Sequence, residues 1–193
     1  MWHGIILFSI ICIRGFHAAV STTNWSRQNI ERAGLTGYTR ANIATGIGAK
    51  HVLYNLAESL LDEGDTIAFA VPYWTSYQDI ADIVNAKVLH LVCPASQNYK
   101  ITPEQLDAVM KQKPKVFLFN NPNNPTGMVY SKEEIAALAA VLVNYPDTWI
   151  ISDDIYHRMV FDDLGYSNFI NAEPSLRDRV IFVDSLSKTY GMP

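Results

Sequence analysis

The sequence predicts an α/β fold of three layers, in which a mostly parallel sheet carries helices on both faces. Short apolar runs that do not alternate with polar residues are typical of strands buried on both faces. From about residue 41 such runs alternate with helical patterns, and strands joined through helices lie parallel. Hydrophobic residues make up 49% of the 193 residues, enough for one domain with a substantial core.

Six segments are predicted to be strands. They are NIATG at 42–46, DTIAFAVP at 65–72, AKVLHLVC at 86–93, KVFLFN at 115–120, DTWIISD at 147–153 and RVIFVDS at 179–185. Parallel sheets of this kind bind ligands beyond the carboxyl ends of their strands. The residues that follow each strand are therefore where function is expected.

Four helices are predicted between these strands. They cover 48–62, about 76–84, 103 to about 110 and 132 to about 143. The third helix should begin with a capping box of Thr102 and Gln105, with a proline at its first position. Ser131 and Glu134 have the same spacing and should start the fourth helix.

Residues 1–23 form an apolar leader of uncertain status. The run Gly4–Ile13 is too short to span a bilayer but has the length of a signal-peptide core. No Lys or Arg precedes it and Arg14 follows, which disfavours a secretory signal at 1–19 and favours a cytoplasmic protein. The alternatives are a displaced start codon or a strand-like remnant of a longer chain.

Composition disfavours several other classes of function. The formal net charge of −4 argues against a nucleic-acid or anionic-membrane surface. Cys12 and Cys93 are the only cysteines and form no CxxC pair, so neither a disulfide framework nor a zinc site is expected. The five histidines are scattered without an HExxH pair, and we expect no metal site.

The first strand end is a glycine turn, Gly46-Ile47-Gly48-Ala49-Lys50, that opens a helix. Free backbone N–H groups and the positive end of the helix dipole suit a phosphate. His51 stands where the third glycine of GxGxxG would be, which disfavours a dinucleotide-binding dehydrogenase. The alternative is a tight strand–helix connection without a ligand.

Three further strand ends carry polar side chains. NNPNNPTG at 120–127 is a turn-rich loop whose amides could bind ligand oxygens. Asp153 and Asp154 end another strand. A carboxylate there either caps the start of a helix or is buried, which costs free energy unless it has a cationic or hydrogen-bonded partner. Ser185 and Lys188 follow the last strand, and a lysine there is either a surface group or a reactive amine.

Together the four strand ends predict one cofactor. They offer an anion cradle, an amide, a carboxylate and a lysine. Pyridoxal 5′-phosphate has a phosphate, a phenolic oxygen, a protonatable ring nitrogen and an aldehyde that forms a Schiff base with lysine. The combination therefore indicates a site for this cofactor.

The sequence resembles the fold-type I pyridoxal-phosphate enzymes, specifically the class I aminotransferases of the aspartate aminotransferase kind. The motifs that carry the resemblance are TGIGAKH, VPYWTSY, NNPNNPTG, ISDDIYHRMVFD and SLSKTYGMP, in the family's order. The resemblance covers roughly residues 24–193. It implies most of the large cofactor-binding domain, and it implies that the small domain is absent.

The resemblance also implies roles for individual residues. Lys188 would hold the cofactor covalently and then move the proton at the substrate's α-carbon. Asp153 would pair with the ring nitrogen, and Tyr156 and Asn124 would hydrogen-bond the phenolic oxygen. The remaining contacts would be Trp74 and Ile155 on the two ring faces, with the backbone of Ala49 and Lys50 and the hydroxyl of Ser185 on the phosphate.

The implied reaction transfers an amino group between an amino acid and a 2-oxo acid, and the complete enzyme would be a homodimer. A β-lyase, an aminocarboxylate synthase and an inactive truncated product remain alternatives. Pro193 precedes the position of the family's phosphate-binding arginine. We therefore expect the chain alone to be a partial enzyme, weakly folded and without transaminase turnover.

Overall fold

The computed structural model describes residues 6–9, 31, 33–162 and 164–191. Seven parallel strands form one sheet in the order β2-β1-β7-β6-β5-β3-β4. The strands are β1 Ile6–Ser9, β2 Ile43–Gly46, β3 Thr66–Val71, β4 Lys87–Val92, β5 Val116–Asn120, β6 Trp149–Asp153 and β7 Val180–Ser185. All six predicted strands are confirmed, and the parallel sheet is as predicted.

Six α-helices connect or follow the strands in the described ranges. They are α1 Ala49–Leu60, α2 Ser76–Ile83, α3 Pro103–Met110, α4 Lys132–Leu142, α5 Phe169–Ala172 and α6 Leu186–Thr189. Both capping boxes are confirmed, since Thr102 Oγ1 accepts the Gln105 N–H at 3.3 Å and Ser131 Oγ accepts the Glu134 N–H at 3.2 Å. The short helices α5 and α6 were not predicted.

Helices cover both faces of the sheet, which confirms the three layers. On one face α1 and α2 pack on the strands through Val52, Leu53, Ile80 and other apolar side chains. On the other face α3, α4 and α5 pack around Phe117 and Phe182. Because both faces of the central strands are covered, strand β5 is buried at every position, as its continuous apolar run predicts.

Strand β1 lies inside the apolar leader and pairs in parallel with both β2 and β7. A strand at this position agrees with the interpretation of the leader as a strand-like segment. The rest of the leader, and with it most of the segment 1–19 considered as a secretory signal, lies outside the described residues. Within the described ranges, no helix is both long and apolar enough to cross a membrane.

Candidate active site

The carboxyl ends of the strands surround a cavity of about 270 Å³. Every residue predicted for the cofactor site lines it: Ala49, Lys50, Trp74, Asn124, Asp153, Ile155, Tyr156, Ser185 and Lys188. The residues come from strand ends that are distant in sequence, because parallel strands bring their carboxyl ends to one edge of the sheet. Gly48, Tyr77, Asn120 and Ser187 complete the lining.

Asp153 ends β6 with its carboxyl buried, at 1% exposure. The Tyr77 hydroxyl donates a hydrogen bond to Asp153 Oδ2 at 2.6 Å. Asp153 Oδ1 has no hydrogen-bond partner in the described part of the chain. Burial raises the pKa of this carboxyl to about 6, and the Tyr77 hydroxyl and the nearby Ile155 N–H oppose the rise. A cationic group beside Oδ1 would therefore relieve an electrostatic cost already present in the fold.

Tyr77 is a site residue that the sequence analysis missed. It lies one helical turn after Trp74, and the two rings meet edge to face with centroids 5.6 Å apart. Trp74 precedes the helix, and the Tyr77 N–H donates to its carbonyl at 2.9 Å, so the turn that opens α2 brings the two rings together. Burial and the nearby Asp153 carboxylate raise the pKa of the Tyr77 hydroxyl well above its usual value, so it remains a donor.

The asparagines of NNPNNPTG divide into two pairs. Asn121 and Asn123 hold the loop itself, since Asn121 Oδ1 accepts the Tyr130 N–H at 3.0 Å and Asn123 Oδ1 accepts the hydroxyl of Thr126 at 2.8 Å. Asn120 and Asn124 line the cavity instead. The sequence analysis also missed Asn120. Its side-chain amide links Asp153 at the end of β6 to Asn124 in the loop.

Asn120 makes this link with both ends of its side chain. Its Nδ2 donates to the backbone carbonyl of Asp153 at 2.8 Å, and its Oδ1 accepts the Asn124 N–H at 2.7 Å. Asn124 Nδ2 in turn donates to the Tyr156 hydroxyl at 3.4 Å. Burial raises the pKa of Tyr156, the Asp153 charge adds to the rise, and the Asn124 hydrogen bond opposes it.

Helix α1 points its amino end at the cavity. Gly48 precedes it with φ of 145°, and the first turn contains no acidic residue and no side-chain cap. The free N–H groups of this turn therefore present an uncompensated positive dipole end. Lys50 adds an ammonium group, whose Nζ lies 5.1 Å from the centroid of the Trp74 ring.

Lys188 lies on α6, immediately after β7. Ser185 Oγ caps this helix by accepting the Ser187 N–H at 3.2 Å. The Lys188 Nζ lies 5.9 Å from the centroid of the Tyr156 ring. The amine thus faces the same cavity as the buried carboxyl of Asp153, from the neighbouring strand.

These features fit pyridoxal 5′-phosphate. The unpartnered Asp153 Oδ1 suits a protonated ring nitrogen, and the uncapped start of α1 suits a phosphate. Lys188 supplies the amine that the aldehyde requires. Nothing in this donor set calls for another type of cofactor.

Comparison with known proteins agrees with the geometry. Residues 18–193 match the sequence profile of the family described as aminotransferase class I and II. The aspartate/prephenate aminotransferase of Cereibacter sphaeroides is 38% identical over 165 residues, which cover 86% of this chain and 41% of that protein. The chain therefore spans about two fifths of the length of the relatives it matches.

Solved structures give the same result. The crystal structure of the aspartate aminotransferase from Rhizobium meliloti matches with a TM-score of 0.85 and 34% identity, over 88% of this chain and 42% of that one. Cystalysin from Treponema denticola, whose structure contains pyridoxal 5′-phosphate, shares the fold with a TM-score of 0.81 at 18% identity over 94% of this chain and 46% of that one. The family uses this cofactor. The chain belongs to the class I and II aminotransferase family.

Proposed function

We propose that this chain is the cofactor-binding part of a pyridoxal-phosphate-dependent aminotransferase, which transfers an amino group between an amino acid and a 2-oxo acid. The observation that carries the proposal is the unpartnered, buried oxygen of Asp153 in a cavity that also holds the Lys188 amine and the start of α1. When bound, the cofactor supplies an electron sink for the α-carbon of the substrate.

Each residue of the site then has a defined task. Asp153 Oδ1 would accept a hydrogen bond from the protonated ring nitrogen, and the hydrogen bond that Tyr77 donates to Oδ2 favours the ionised carboxyl. Asn124 and Tyr156 would hydrogen-bond the phenolic oxygen. Lys188 is the amine that would hold the aldehyde group of the cofactor, and its Nζ would also hold and move the proton at the α-carbon of the substrate.

Binding and orientation complete the list of tasks. Trp74 and Ile155 line the cavity and would pack against the two faces of the ring, which would exclude water from it. The N–H groups of Ala49 and Lys50, together with the Ser185 hydroxyl, would bind the phosphate. Aspartate is the proposed amino donor, supported by the names of the relatives from C. sphaeroides and R. meliloti.

The reaction class is tested with a chimera in which residues 24–193 replace the matching segment of the R. meliloti aspartate aminotransferase. We expect oxaloacetate from aspartate only when a 2-oxo acid acceptor is present, and none from the Lys188→Ala variant. Lys132→Ala, at an exposed position on α4, is the matched control and should keep the activity. Ammonia release without an acceptor would identify a lyase instead, and a folded chimera without either reaction would refute the proposal.

We also propose that the complete protein is a cytoplasmic homodimer in amino-acid biosynthesis. The support for the dimer is an apolar groove between α1 and α2, of about 540 Å³, whose rim exposes Ile47 and Ile83. Exposed apolar grooves of this kind mark interaction surfaces. Light scattering of the purified protein should give twice the mass of one chain, and Ile83→Lys should give a monomer.

A further inference from the structure

A second polar cluster lies behind the cavity, on the opposite face of the sheet. Side chains alternate across a strand, so Ser152 and Asp154 point away from Asp153, and Asp184 points away from Ser185. His157 and Tyr166 pack beside these polar side chains, and the centroids of the His157 and Tyr166 rings are 5.4 Å apart. We call Ser152, Asp154, His157, Tyr166 and Asp184 the rear cluster. None of its members lines the cavity.

The His157 ring connects the ends of β6 and β7. Its Nδ1 lies 2.9 Å from the backbone carbonyl of Asp154, which follows β6, and 3.5 Å from Asp184 Oδ1 on β7. The Asp154 N–H also donates to the Val183 carbonyl at 2.9 Å. The two strand ends are therefore linked by one backbone hydrogen bond, and the His157 ring is hydrogen-bonded to the first and in contact with the second.

Asp184 fixes the segment that leads to Lys188. Its Oδ1 accepts the Ser185 N–H at 2.6 Å. Ser185 then caps α6 through its hydroxyl, and Lys188 lies within that four-residue helix. Asp184 is 1% exposed, so this hydrogen bond is shielded from water. Moving the Asp184 carboxyl would therefore move the peptide from which α6 starts.

Burial favours the neutral forms of the titratable groups in the rear cluster. Burial lowers the pKa of His157 to about 4, so the ring is neutral near pH 7 and its Nδ1–H can donate. Burial raises the pKa of Asp184 to about 7, while the hydrogen bond from the Ser185 N–H and the charge of Arg158 oppose the rise. Burial likewise raises the pKa of Asp154 to about 8, while Ser152 and Tyr166 beside it oppose the rise.

We propose that His157 and Asp184 form a clasp that positions Lys188 relative to Asp153, so that the amine and the carboxyl meet the two ends of one cofactor ring. The proposal rests on the proposed function. Both members act through the backbone, and neither contacts the cavity. The clasp is therefore a positioning device.

The test compares three variants of the chain. Asp184→Ala removes the acceptor for the Ser185 N–H, and Asp184→Asn keeps an oxygen there. Thr148→Val is the matched control, because it removes a buried hydrogen bond, from Thr148 Oγ1 to the Pro114 carbonyl, at the opposite end of β6. It should cost stability without reaching the site.

The first measurement is a pH titration of the visible absorbance after adding pyridoxal 5′-phosphate. We expect Asp184→Ala to shift the midpoint of the band by at least about 0.5 pH unit, because the amine no longer holds its place relative to the charged groups of the site. Asp184→Asn should restore most of the midpoint, and Thr148→Val should leave it unchanged. An unchanged midpoint in Asp184→Ala would overturn the proposal.

The second measurement is amide hydrogen exchange without cofactor. We expect the amides of 185–189 to exchange about tenfold faster in Asp184→Ala, and at the original rate in Thr148→Val. Equal rates in Asp184→Ala would refute the clasp. If Asp184→Ala does not fold, His157→Phe removes Nδ1 at similar volume and is judged by the same rates. A parent chain that shows protected 185–189 amides but no visible band would refute the proposed function alone.

Discussion

The buried carboxyl of Asp153 should make the cofactor-free protein less stable as pH rises. Its pKa is raised from 3.8 to about 6 in the folded state. A raised pKa means that the unfolded chain releases this proton at lower pH than the folded one. The stability that the neutral carboxyl contributes is therefore fully present below the pKa that Asp153 has in the unfolded chain. It is lost as pH rises through about 6, the pKa in the folded protein.

The size of this loss follows from the shift. Each pKa unit corresponds to about 1.4 kcal/mol, so the full cost is roughly 3 kcal/mol. Most of it, roughly 2 kcal/mol, falls between about pH 4 and about pH 8. Asp153→Asn carries no charge at either pH. The parent protein should therefore lose roughly 2 kcal/mol more than Asp153→Asn over this interval.

Urea unfolding of both proteins at the two pH values measures this difference directly. The comparison between pH values cancels any fixed effect of the asparagine on packing. Asp147→Asn is the matched control, because Asp147 is exposed and its charge is not buried by folding. Equal pH dependence in the parent and Asp153→Asn would show that the Asp153 charge is not buried at a cost, and would refute this reasoning.

Three smaller perturbations follow from single contacts. Tyr77→Phe removes the donor to Asp153 and should weaken cofactor binding roughly tenfold, measured by absorbance titration, because the carboxyl is then less ionised. Gly46→Ala would place a Cβ 2.8 Å from the buried Val52 side chain and should cost about 1–3 kcal/mol in urea unfolding. Thr102→Ala removes one capping box and should cost about 1 kcal/mol in the same assay, with cofactor binding unchanged.

The local elements of the fold could be predicted because their signals are local. The capping box of Thr102 and Gln105 needs only residues three apart, and the apolar run of β5 needs only burial on both faces. The order of strands in the sheet depends on contacts between distant residues. Periodicity therefore gave no indication that β1 would lie between β2 and β7.

The candidate site was predictable for a similar reason. Residues after parallel strands gather at one edge, so Asp153, the NNPNNPTG loop and Lys188 could be expected together, whereas the choice of Asn124 within the loop came from the family resemblance. Tyr77 and Asn120 were missed because both matter through hydrogen bonds to Asp153. Such hydrogen bonds depend on which side chains of distant segments meet in the fold, and the sequence does not show this. The rear cluster was hidden for the same reason.

The measurement that tests the account most directly is mass spectrometry after borohydride treatment of the protein with pyridoxal 5′-phosphate. Reduction makes the link between the cofactor and its lysine permanent, and peptide mapping locates it. We expect the adduct on Lys188, although Lys50 also lines the cavity. An adduct confined to Lys50, or to another lysine, would contradict the assignment of the site.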